Sequence, residues 1–420
     1  MARAARSEHG SIRVRMYRVG FGDCFLVSLP EAPGRVKHVL VDCGVHPRGN
    51  IDTMAAVIQD IAAVTGGSLA AVVASHEHAD HISGFGSFDA EFARLSIGEI
   101  WMPWAMDPDD AVAVSLRRRR FALAEELSAH FRATGGTPSA LDILANLRGN
   151  ERALQALRSR FQCAARRIRY LTAGQKLDGS TGQSGAADVD GLTVNVLGPP
   201  TDPEFLKKMN PPESQRYLKA AAGKKPMGAI RPFGEDEALP PKLGRPEFGL
   251  SQSAGKRMEQ ELSASFADSL EGLAFALDSA INNTSLVLLL SFRGHTLLFP
   301  GDAQWGNWKY WLDSPRAQSI LDQLAFLKVA HHGSHNATPR RALEWMAEGA
   351  FAAMVSTQSL PWPSIPRLPL LERLNTRTKG RTVRSDSLPV VGAPQGPKLK
   401  ARLPKGFSTG RLWFDYRVPL

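Results

Sequence analysis

The sequence contains His76-Glu77-His78-Ala79-Asp80-His81, a run with three imidazoles and the carboxylate of Asp80. The preceding residues, 69–75, are apolar and end in a small polar residue, which is typical of a buried strand. We expect the run to leave that strand as a loop, so that all four side chains can converge. Imidazole suits zinc, iron or manganese, and carboxylate also suits harder cations. The pattern therefore favours a metal site over a solvated histidine-rich loop.

Three further segments place a polar residue at the end of an apolar strand. Each of them alone is weak evidence, since a polar residue after a strand usually belongs to a turn. All of them together, in one chain with the histidine run, are specific. They are Asp42 after residues 36–41, Asp302 after residues 297–301, and the pair His331 and His332 after residues 327–330.

In this order the four segments resemble the signature of the metallo-β-lactamase fold. A narrower resemblance, to the soluble C-terminal domain of the ComEC competence protein, covers roughly residues 11–104, 168–200 and 281–386. It rests on short blocks at residues 19–27, 191–200, 282–288, 301–302 and 328–334 and, more loosely, at 384–386.

The resemblance implies an α/β fold, an αββα sandwich, with a site for two divalent metal ions, Zn²⁺ or Mn²⁺. One ion would be held by His76 and His78, with Asn282 or Asn283 nearby. The other would be held by Asp80 and His81, with His331 or His332, and Asp302 would bridge the two ions. Asp42 would orient the histidine run from behind, and Ser334 would support the ligands. Asp80, Asp302, His331 and His332 are the predicted catalytic residues.

The sequence departs from the family at two places. The superfamily usually has a histidine where Asn282 and Asn283 stand, and an amide oxygen is a weaker and harder ligand. One metal is therefore expected to be held loosely or to be Mn²⁺. The ComEC group often has a His-Pro pair after the next strand, whereas residues 360–367 contain no histidine. This second departure affects the expected substrate rather than the metals.

Basic charge is concentrated in two segments of the chain, which has a formal net charge of +10. Residues 111–170 hold 12 basic residues against 4 acidic ones, and residues 361–420 hold 12 against 3. Such segregation suits an anionic polymer or a phosphorylated substrate. The run Arg117-Arg118-Arg119-Arg120 is the predicted substrate-binding segment. The alternative is a solvated basic surface with no ligand.

We expect one catalytic domain over residues 11–386 and a basic tail with a final strand over 387–420. A basic helical insertion is expected at about 107–167, with helices after Asp107 and at 150–166. A second insertion, at about 201–280, should be a long Pro/Gly-rich loop followed by a helix near 257–279. A further helix is expected near 52–64.

The sequence points to a cytoplasmic protein. No apolar run reaches the length of about 18 residues that a membrane span needs, and no secretory signal is visible. Three cysteines, Cys24, Cys43 and Cys163, give no disulfide framework.

The leading hypothesis is a metal-dependent phosphodiesterase, a nuclease acting on single-stranded nucleic acid. A second hypothesis keeps the chemistry but assigns a small phosphodiester, such as a cyclic nucleotide or a phosphocholine ester. A third hypothesis is an inactive effector or scaffold. Hydrolysis of a lactone, a thioester or a β-lactam is the last alternative. Trp305, Trp308 and Trp311 could stack bases, but their helical spacing favours a place in the core.

Overall fold

The computed structural model describes residues 10–47, 49, 54–147, 150–163, 167–178, 185–217, 270–387 and 403–420. In these residues the strands form two sheets, one of eight strands and one of seven. The strands of the first sheet are β1 (Ser11–Tyr17), β2 (Cys24–Ala32), β3 (Arg35–Cys43), β4 (Ser68–Val73), β5 (Ser96–Pro103), β6 (Ile168–Leu171), β14 (Phe407–Thr409) and β15 (Trp413–Pro419). Those of the second are β7 (Lys176–Leu177), β8 (Leu192–Gly198), β9 (Val287–Phe292), β10 (His295–Phe299), β11 (Leu324–Lys328), β12 (Ala352–Val355) and β13 (Thr382–Arg384).

Both sheets have an antiparallel half and a parallel half. The first has the order β14-β15-β1-β2-β3-β4-β5-β6 and is parallel from β3 to β6. The second has the order β13-β12-β11-β10-β9-β8-β7 and is parallel from β10 to β13. Parallel strands bring their carboxyl ends to one edge of a sheet, where open α/β sheets usually bind ligands.

The helices cover the outer faces of the sheets. They are α1 (Met54–Thr65), α2 (Ala79–Ser87), α3 (Asp89–Phe92), α4 (Ala111–Thr134), α5 (Pro138–Leu147), α6 (Glu151–Gln155), α7 (Pro203–Leu206), α8 (Leu270–Asn282), α9 (Trp305–Leu312), α10 (Ala317–Asp322), α11 (Arg340–Trp345) and α12 (Leu368–Arg377). None of these helices is long and apolar enough to cross a membrane.

Apolar side chains on alternate sides of each strand create a four-layer sandwich. Val73 of β4 and Phe326 of β11 pack in the cluster between the two sheets. The neighbouring Val72 lies in a second cluster, between the first sheet and the helices outside it. Leu327 lies in a third cluster, which covers the outer face of the second sheet. The predicted αββα fold is confirmed.

Several predicted elements differ from the observed ones in number or extent. The basic insertion forms three helices rather than two: α4 ends at Gly135, whose φ of +83° is left-handed, and α5 and α6 follow. Helix α8 is described from Leu270 onward; residues 218–269, and with them most of the predicted loop and the predicted start of this helix, lie outside the described residues. The final strand β15 pairs with β1, so the first sheet includes a strand that the boundary at 386 leaves out.

Candidate metal centre

The four predicted segments meet at one edge of the sandwich. Asp42 lies at the end of β3, and the histidine run follows β4 in the same sheet. Asp302 follows β10, and His332 follows β11 in the other sheet. The strands β3 and β4 are parallel, as are β10 and β11, so their carboxyl ends deliver these side chains to a common place. The site therefore joins the two sheets.

The inner atoms of the site form two overlapping groups. Asp80, His81, Asp302 and His332 offer ligand atoms within 4.8 Å of one another, and so do His76, His78 and Asp80. Asp80 belongs to both groups. The shortest contacts are His76 Nε2 to His78 Nδ1 at 3.0 Å, His332 Nε2 to Asp80 Oδ2 at 3.1 Å, His81 Nε2 to Asp302 Oδ2 at 3.2 Å, and His332 Nε2 to Asp302 Oδ2 at 3.3 Å.

Each of the four histidines has its second ring nitrogen facing an outer partner. This arrangement is characteristic of metal-binding histidines, because the outer group fixes the ring and its tautomer. The pairs are His76 Nδ1 with Ser75 Oγ at 3.1 Å, His81 Nδ1 with Asp42 Oδ2 at 2.8 Å, His332 Nδ1 with Ser356 O at 2.8 Å, and His78 Nε2 with Asp278 Oδ1 at 3.6 Å.

The outer partners decide where the lone pairs point. Ser75 Oγ donates its proton to Asp42 Oδ2 at 2.7 Å, so it accepts from His76 Nδ1, and the lone pair on His76 Nε2 faces inward. His78 Nε2 lies 3.6 Å from Asp278 Oδ1 and makes no hydrogen bond among the described residues; if the proton of this ring is on Nε2, two nitrogen lone pairs face each other at 3.0 Å. That arrangement is repulsive unless a cation lies against both nitrogens. The donor set therefore fits a transition metal.

Asp80 and His81 lie in the first turn of α2 and not in a loop, which corrects the loop expected for the whole run. The position is favourable, because the positive end of the helix dipole stabilises the Asp80 carboxylate. Close packing brings α2 against the end of β3: a Cβ atom on Gly44 would lie 2.4 Å from the backbone nitrogen of His81. Glycine at position 44 is therefore required by this contact.

Asn146 of α5 fixes the orientation of Asp80. Its Oδ1 accepts from the Asp80 backbone N–H at 3.0 Å, and its Nδ2 donates to Asp80 Oδ1 at 2.9 Å. These bonds occupy Asp80 Oδ1, so that Asp80 Oδ2 faces His332. Asn150 fixes the backbone between His76 and His78, because its Nδ2 donates to the carbonyl of Glu77 at 2.5 Å. The basic helical insertion thus contacts the metal motif directly.

Left-handed backbone positions two of the segments. Asp42 has a φ of +58°, and its carboxylate accepts from the Ser75 backbone N–H at 2.7 Å as well as from His81. His331 and His332 have φ values of +47° and +52°. Non-glycine residues in this region carry strain that the surrounding structure must offset. Such strain is common at functional sites.

Opposite charges concentrate at the inner atoms. Burial opposes ionisation of Asp80 and Asp302, yet His81 and His332 hold the pKa of both carboxyl groups well below the usual range. Burial also opposes protonation of the two histidines, but Asp302 and its neighbours raise the pKa of His81 well above normal and that of His332 to about 10. Protons on these histidines balance the carboxylates, and a bound divalent cation would replace those protons.

Two buried residues of the site, Asp23 and Lys328, were not among the predicted ones. Lys328 Nζ contacts Asp23 and Asp302 and donates to the carbonyl of Gly301 at 2.8 Å. Burial raises the pKa of Asp23, which Lys328 opposes. Both residues lie in sequence blocks that carried the resemblance, at 19–27 and 328–334, so a buried-charge argument on those blocks could have found them. Asn146 and Asp278 lie outside every block, and no sequence signal pointed to them.

The structure distinguishes between alternatives that the sequence left open. His332 lies in the inner group, whereas His331 Nδ1 faces Asn336 Oδ1 at 3.3 Å and its Nε2 faces Asn282 at 3.5 Å. Ser334 Oγ donates to the same Asn336 oxygen at 2.9 Å.

Asn283 is turned away from the inner group, unlike Asn282. Its Nδ2 donates to the carbonyls of Leu206 and Lys208, both at 3.0 Å, and its Oδ1 accepts from the backbone N–H of Gln304 at 3.2 Å. Asn282 Nδ2 donates to Asp278 Oδ2 at 3.0 Å, and its Oδ1 has no hydrogen-bond partner among the described residues.

A cavity of about 70 Å³ lies over the inner atoms. Its polar wall includes Asp278, Asn282 and His331, and its apolar wall includes Phe21 and Trp362. The ring of Phe21 lies 4.2 Å from that of His332 and 4.7 Å from that of Trp362, measured between centroids.

The predicted arginine run does not line the cavity over the inner atoms, and it does not form one solvated face. Arg117 Nη1 donates to the Met106 carbonyl at 2.9 Å, and the buried Arg120 donates to the Ala280 carbonyl at 3.2 Å. Arg118 and Arg119 are exposed. The helical period explains the difference, because four successive residues point to all sides of α4. Trp308 and Trp311 are buried against the second sheet, as their helical spacing predicted.

Residues 17–108 match the family model described as the metallo-beta-lactamase superfamily. No curated protein matches the chain. The matched segment contains Asp42 and the whole histidine run. Residues 17–108 are therefore similar to a metallo-beta-lactamase superfamily domain, and this match together with the sandwich fold and the His/Asp cluster indicates a metal-dependent hydrolase.

Proposed function

We propose that this protein is a two-metal phosphodiesterase that cleaves single-stranded nucleic acid. The observation that carries the proposal is the pair of overlapping ligand groups that share Asp80. His76, His78 and Asp80 would hold one ion, and Asp80, His81, Asp302 and His332 would hold the other. Two divalent ions supply an activated water and stabilise charge on both the attacking and the leaving oxygen of a displacement at phosphorus.

The protein's own residues orient this chemistry. Asp42, Ser75 and the Ser356 carbonyl hold three imidazoles with their inner nitrogens toward the ligand groups. Lys328 balances the buried charge of Asp23 and Asp302. Burial lowers the pKa of His331, so its neutral ring can contact the substrate from the cavity wall.

Two features favour nucleic acid as the substrate. The ComEC-like blocks suggest a nuclease, and residues 111–170 and 361–420 together hold 24 basic residues against 7 acidic ones. Counterion release from a phosphate backbone would make such basic segments bind strongly at low salt. Asn283 is held by backbone groups and so offers no oxygen to the ion at His76 and His78. We therefore also propose that this ion is bound with the lower affinity and that Mn²⁺ supports activity.

A small phosphodiester is the second candidate. The observation that favours it is the size of the cavity over the inner atoms, about 70 Å³, with Phe21 and Trp362 on one side. An apolar wall suits a compact organic ester better than a charged polymer.

The test is a substrate panel with the full chain, loaded with Mn²⁺ or Zn²⁺ and checked by elemental analysis. We expect cleavage of a single-stranded DNA oligonucleotide, and loss of both metal and cleavage in Asp302→Ala. The control is Asp322→Ala, the same change at an exposed carboxylate on α10. Cleavage of bis(p-nitrophenyl) phosphate alone would favour the second candidate. A metal-loaded protein that cleaves neither substrate contradicts both.

A further inference from the structure

A second and larger cavity lies beside the metal centre. Its volume is about 570 Å³, and none of its lining residues lines the first cavity. The two share walls: Glu77 lines the second cavity, while its neighbour His78 lines the first. Helix α8 likewise turns Leu277 to the second cavity and Asp278 to the first.

Four arginines line this second cavity, Arg117, Arg118, Arg120 and Arg158, against two carboxylates, Glu77 and Glu151. The lining therefore has a positive charge in excess. The arginines come from two helical segments of the insertion, and both segments line the same cavity.

Two of these guanidinium groups are held together by a backbone oxygen rather than by a carboxylate. Arg117 Nη1 and Arg158 Nη2 both donate to the carbonyl of Met106. Burial and the nearby Arg158 lower the pKa of Arg117, which reflects the crowding of like charges. Arg158 Nε is buried with no hydrogen-bond partner among the described residues. An anion in the cavity would relieve this crowding.

The rest of the lining is apolar. A cavity of this volume lies within the range of about 300–1,000 Å³ that is usual for small-molecule sites, in which a few polar groups fix an otherwise apolar ligand. The apolar members are Val114, Phe121, Ala124, Leu147, Leu154, Leu277 and Ile281.

We propose that this cavity binds a phosphate monoester that carries an apolar or aromatic body. Arginine suits phosphate because its planar fork makes two parallel charge-assisted hydrogen bonds. The apolar residues would cover the organic part of the same molecule. The site is separate from the metal centre and does not depend on the reaction catalysed there. The same chemistry is offered by a free nucleotide and by the 5′-phosphorylated end of an oligonucleotide.

The test measures binding of adenosine 5′-monophosphate to the full chain by calorimetry, with a chelator present so that the metal centre contributes nothing. We expect one binding site whose affinity falls with salt. Arg118→Glu should weaken binding roughly tenfold, because the exposed Arg118 lines the cavity and the change replaces a charge-assisted hydrogen bond by a repelling carboxylate. Both this variant and its control should keep the far-ultraviolet circular dichroism of the parent.

The matched control is Arg119→Glu, which makes the same charge change one residue away. Arg119 is exposed, donates to Ser115 Oγ at 3.0 Å and does not line the cavity. The affinity of Arg119→Glu for adenosine 5′-monophosphate should stay within twofold of that of the parent protein. Equal weakening by both variants would show a general charge effect and overturn the proposal. Absence of binding, or equally tight binding of adenosine, would overturn it too.

Two oligonucleotides distinguish the sources of the phosphate. A short 5′-phosphorylated strand that competes with adenosine 5′-monophosphate, while its 5′-hydroxyl form does not, assigns the site to a strand end. Failure of both strands to compete assigns it to a free nucleotide. Equal competition by both strands shows recognition of internal phosphates and contradicts a monoester site.

Discussion

At the scale of single residues, the site depends as much on the partners of the ligands as on the ligands. Asp42 accepts from the Ser75 backbone, from the Ser75 hydroxyl and from His81. Through Ser75 it also determines the tautomer of His76. One carboxylate, held in left-handed backbone, thus orients two imidazoles before any metal binds. This preorganisation lowers the cost of ordering the ligands.

Asn146 allows a direct test of such orientation. Asn146→Ala removes both hydrogen bonds to Asp80, so the carboxylate can turn away from His332. Loss of an outer partner usually weakens metal binding about 10–100-fold. We expect this loss for the ion held by Asp80 and His332 in competition titrations with a chelator, and a larger one for Asn146→Asp, which places a carboxylate against Asp80.

The control for Asn146 is Asn375→Ala, which removes a half-buried asparagine from α12, in the layer outside the second sheet. Unchanged metal affinity in Asn146→Ala would mean that α5 only covers Asp80.

The sequence predicted the convergence of residues that follow a strand in a fixed order, but not the approach of residues from elsewhere. His76, Asp302 and His332 could be predicted because topology brings strand ends together. Asn146 and Asp278 come from helices whose packing against the site depends on contacts far apart in the chain. Only the packed structure shows that they face Asp80 and His78.

At the scale of helices and strands, hydrogen bonds from one side chain join several elements. Asn283 lies after α8 and binds the carbonyls of Leu206 and Lys208, next to α7. Its oxygen also accepts from the backbone N–H of Asn307 in α9 at 3.3 Å. The asparagine that was predicted as a metal ligand therefore has a role in connecting elements.

Asn283→Ala should lower stability without changing the metal content. It leaves buried carbonyl and amide groups without a partner, and each such group costs about 1–3 kcal/mol. We expect the free energy of unfolding in urea to fall by on the order of 2–4 kcal/mol. Asn282→Ala serves as the comparison, since it removes one bond to Asp278 and should cost about 1 kcal/mol. A metal ion lost from Asn283→Ala alone would restore Asn283 as a ligand.

Element boundaries were harder to predict than element types. The apolar period through Leu123 and Leu127 correctly indicated a helix in the insertion, and both residues are buried. The second predicted helix, at 150–166, is observed as α6 and a helical turn that continues it to Arg160, with residues 164–166 outside the described part of the chain. Its apolar residues, such as Ala153 and Leu157, pack outside the first sheet, whereas those of the separate helix α5 pack in a cluster with α8.

At the scale of the whole molecule, the metal centre is a connection between two sheets. Asp42 and the histidine run belong to the first sheet, and Asp302 and His332 belong to the second. The fold could be predicted because each of the four segments that carry site residues follows an apolar strand, in the order that this topology requires. The pairing of β15 with β1 could not, because it joins the two ends of the chain without a local signal.

Because both sheets contribute ligands, metal binding should stabilise the whole fold, and the effect should grow with pH. A site that binds only the folded state adds about 2.7 kcal/mol at a hundredfold excess of metal over Kd. In metal-free protein, Asp302 and its neighbours raise the pKa of His332 to about 10 and that of His81 well above normal. A raised pKa stabilises the folded state below the unfolded value of about 6.5, and this stability is lost as the pH rises toward 10.

Metal displaces the protons on these two histidines, so metal-loaded protein should not show that loss. We therefore expect the difference in Tm between loaded and chelated protein, measured by calorimetry at pH 6, 7.5 and 9, to widen with pH. Titration of metal at pH 7.5 in buffers of different ionisation enthalpy should show proton release. Asp302→Ala should show no metal-dependent shift at any pH. A difference that stays constant or narrows from pH 6 to 9 would mean that these histidines are neutral before metal binds.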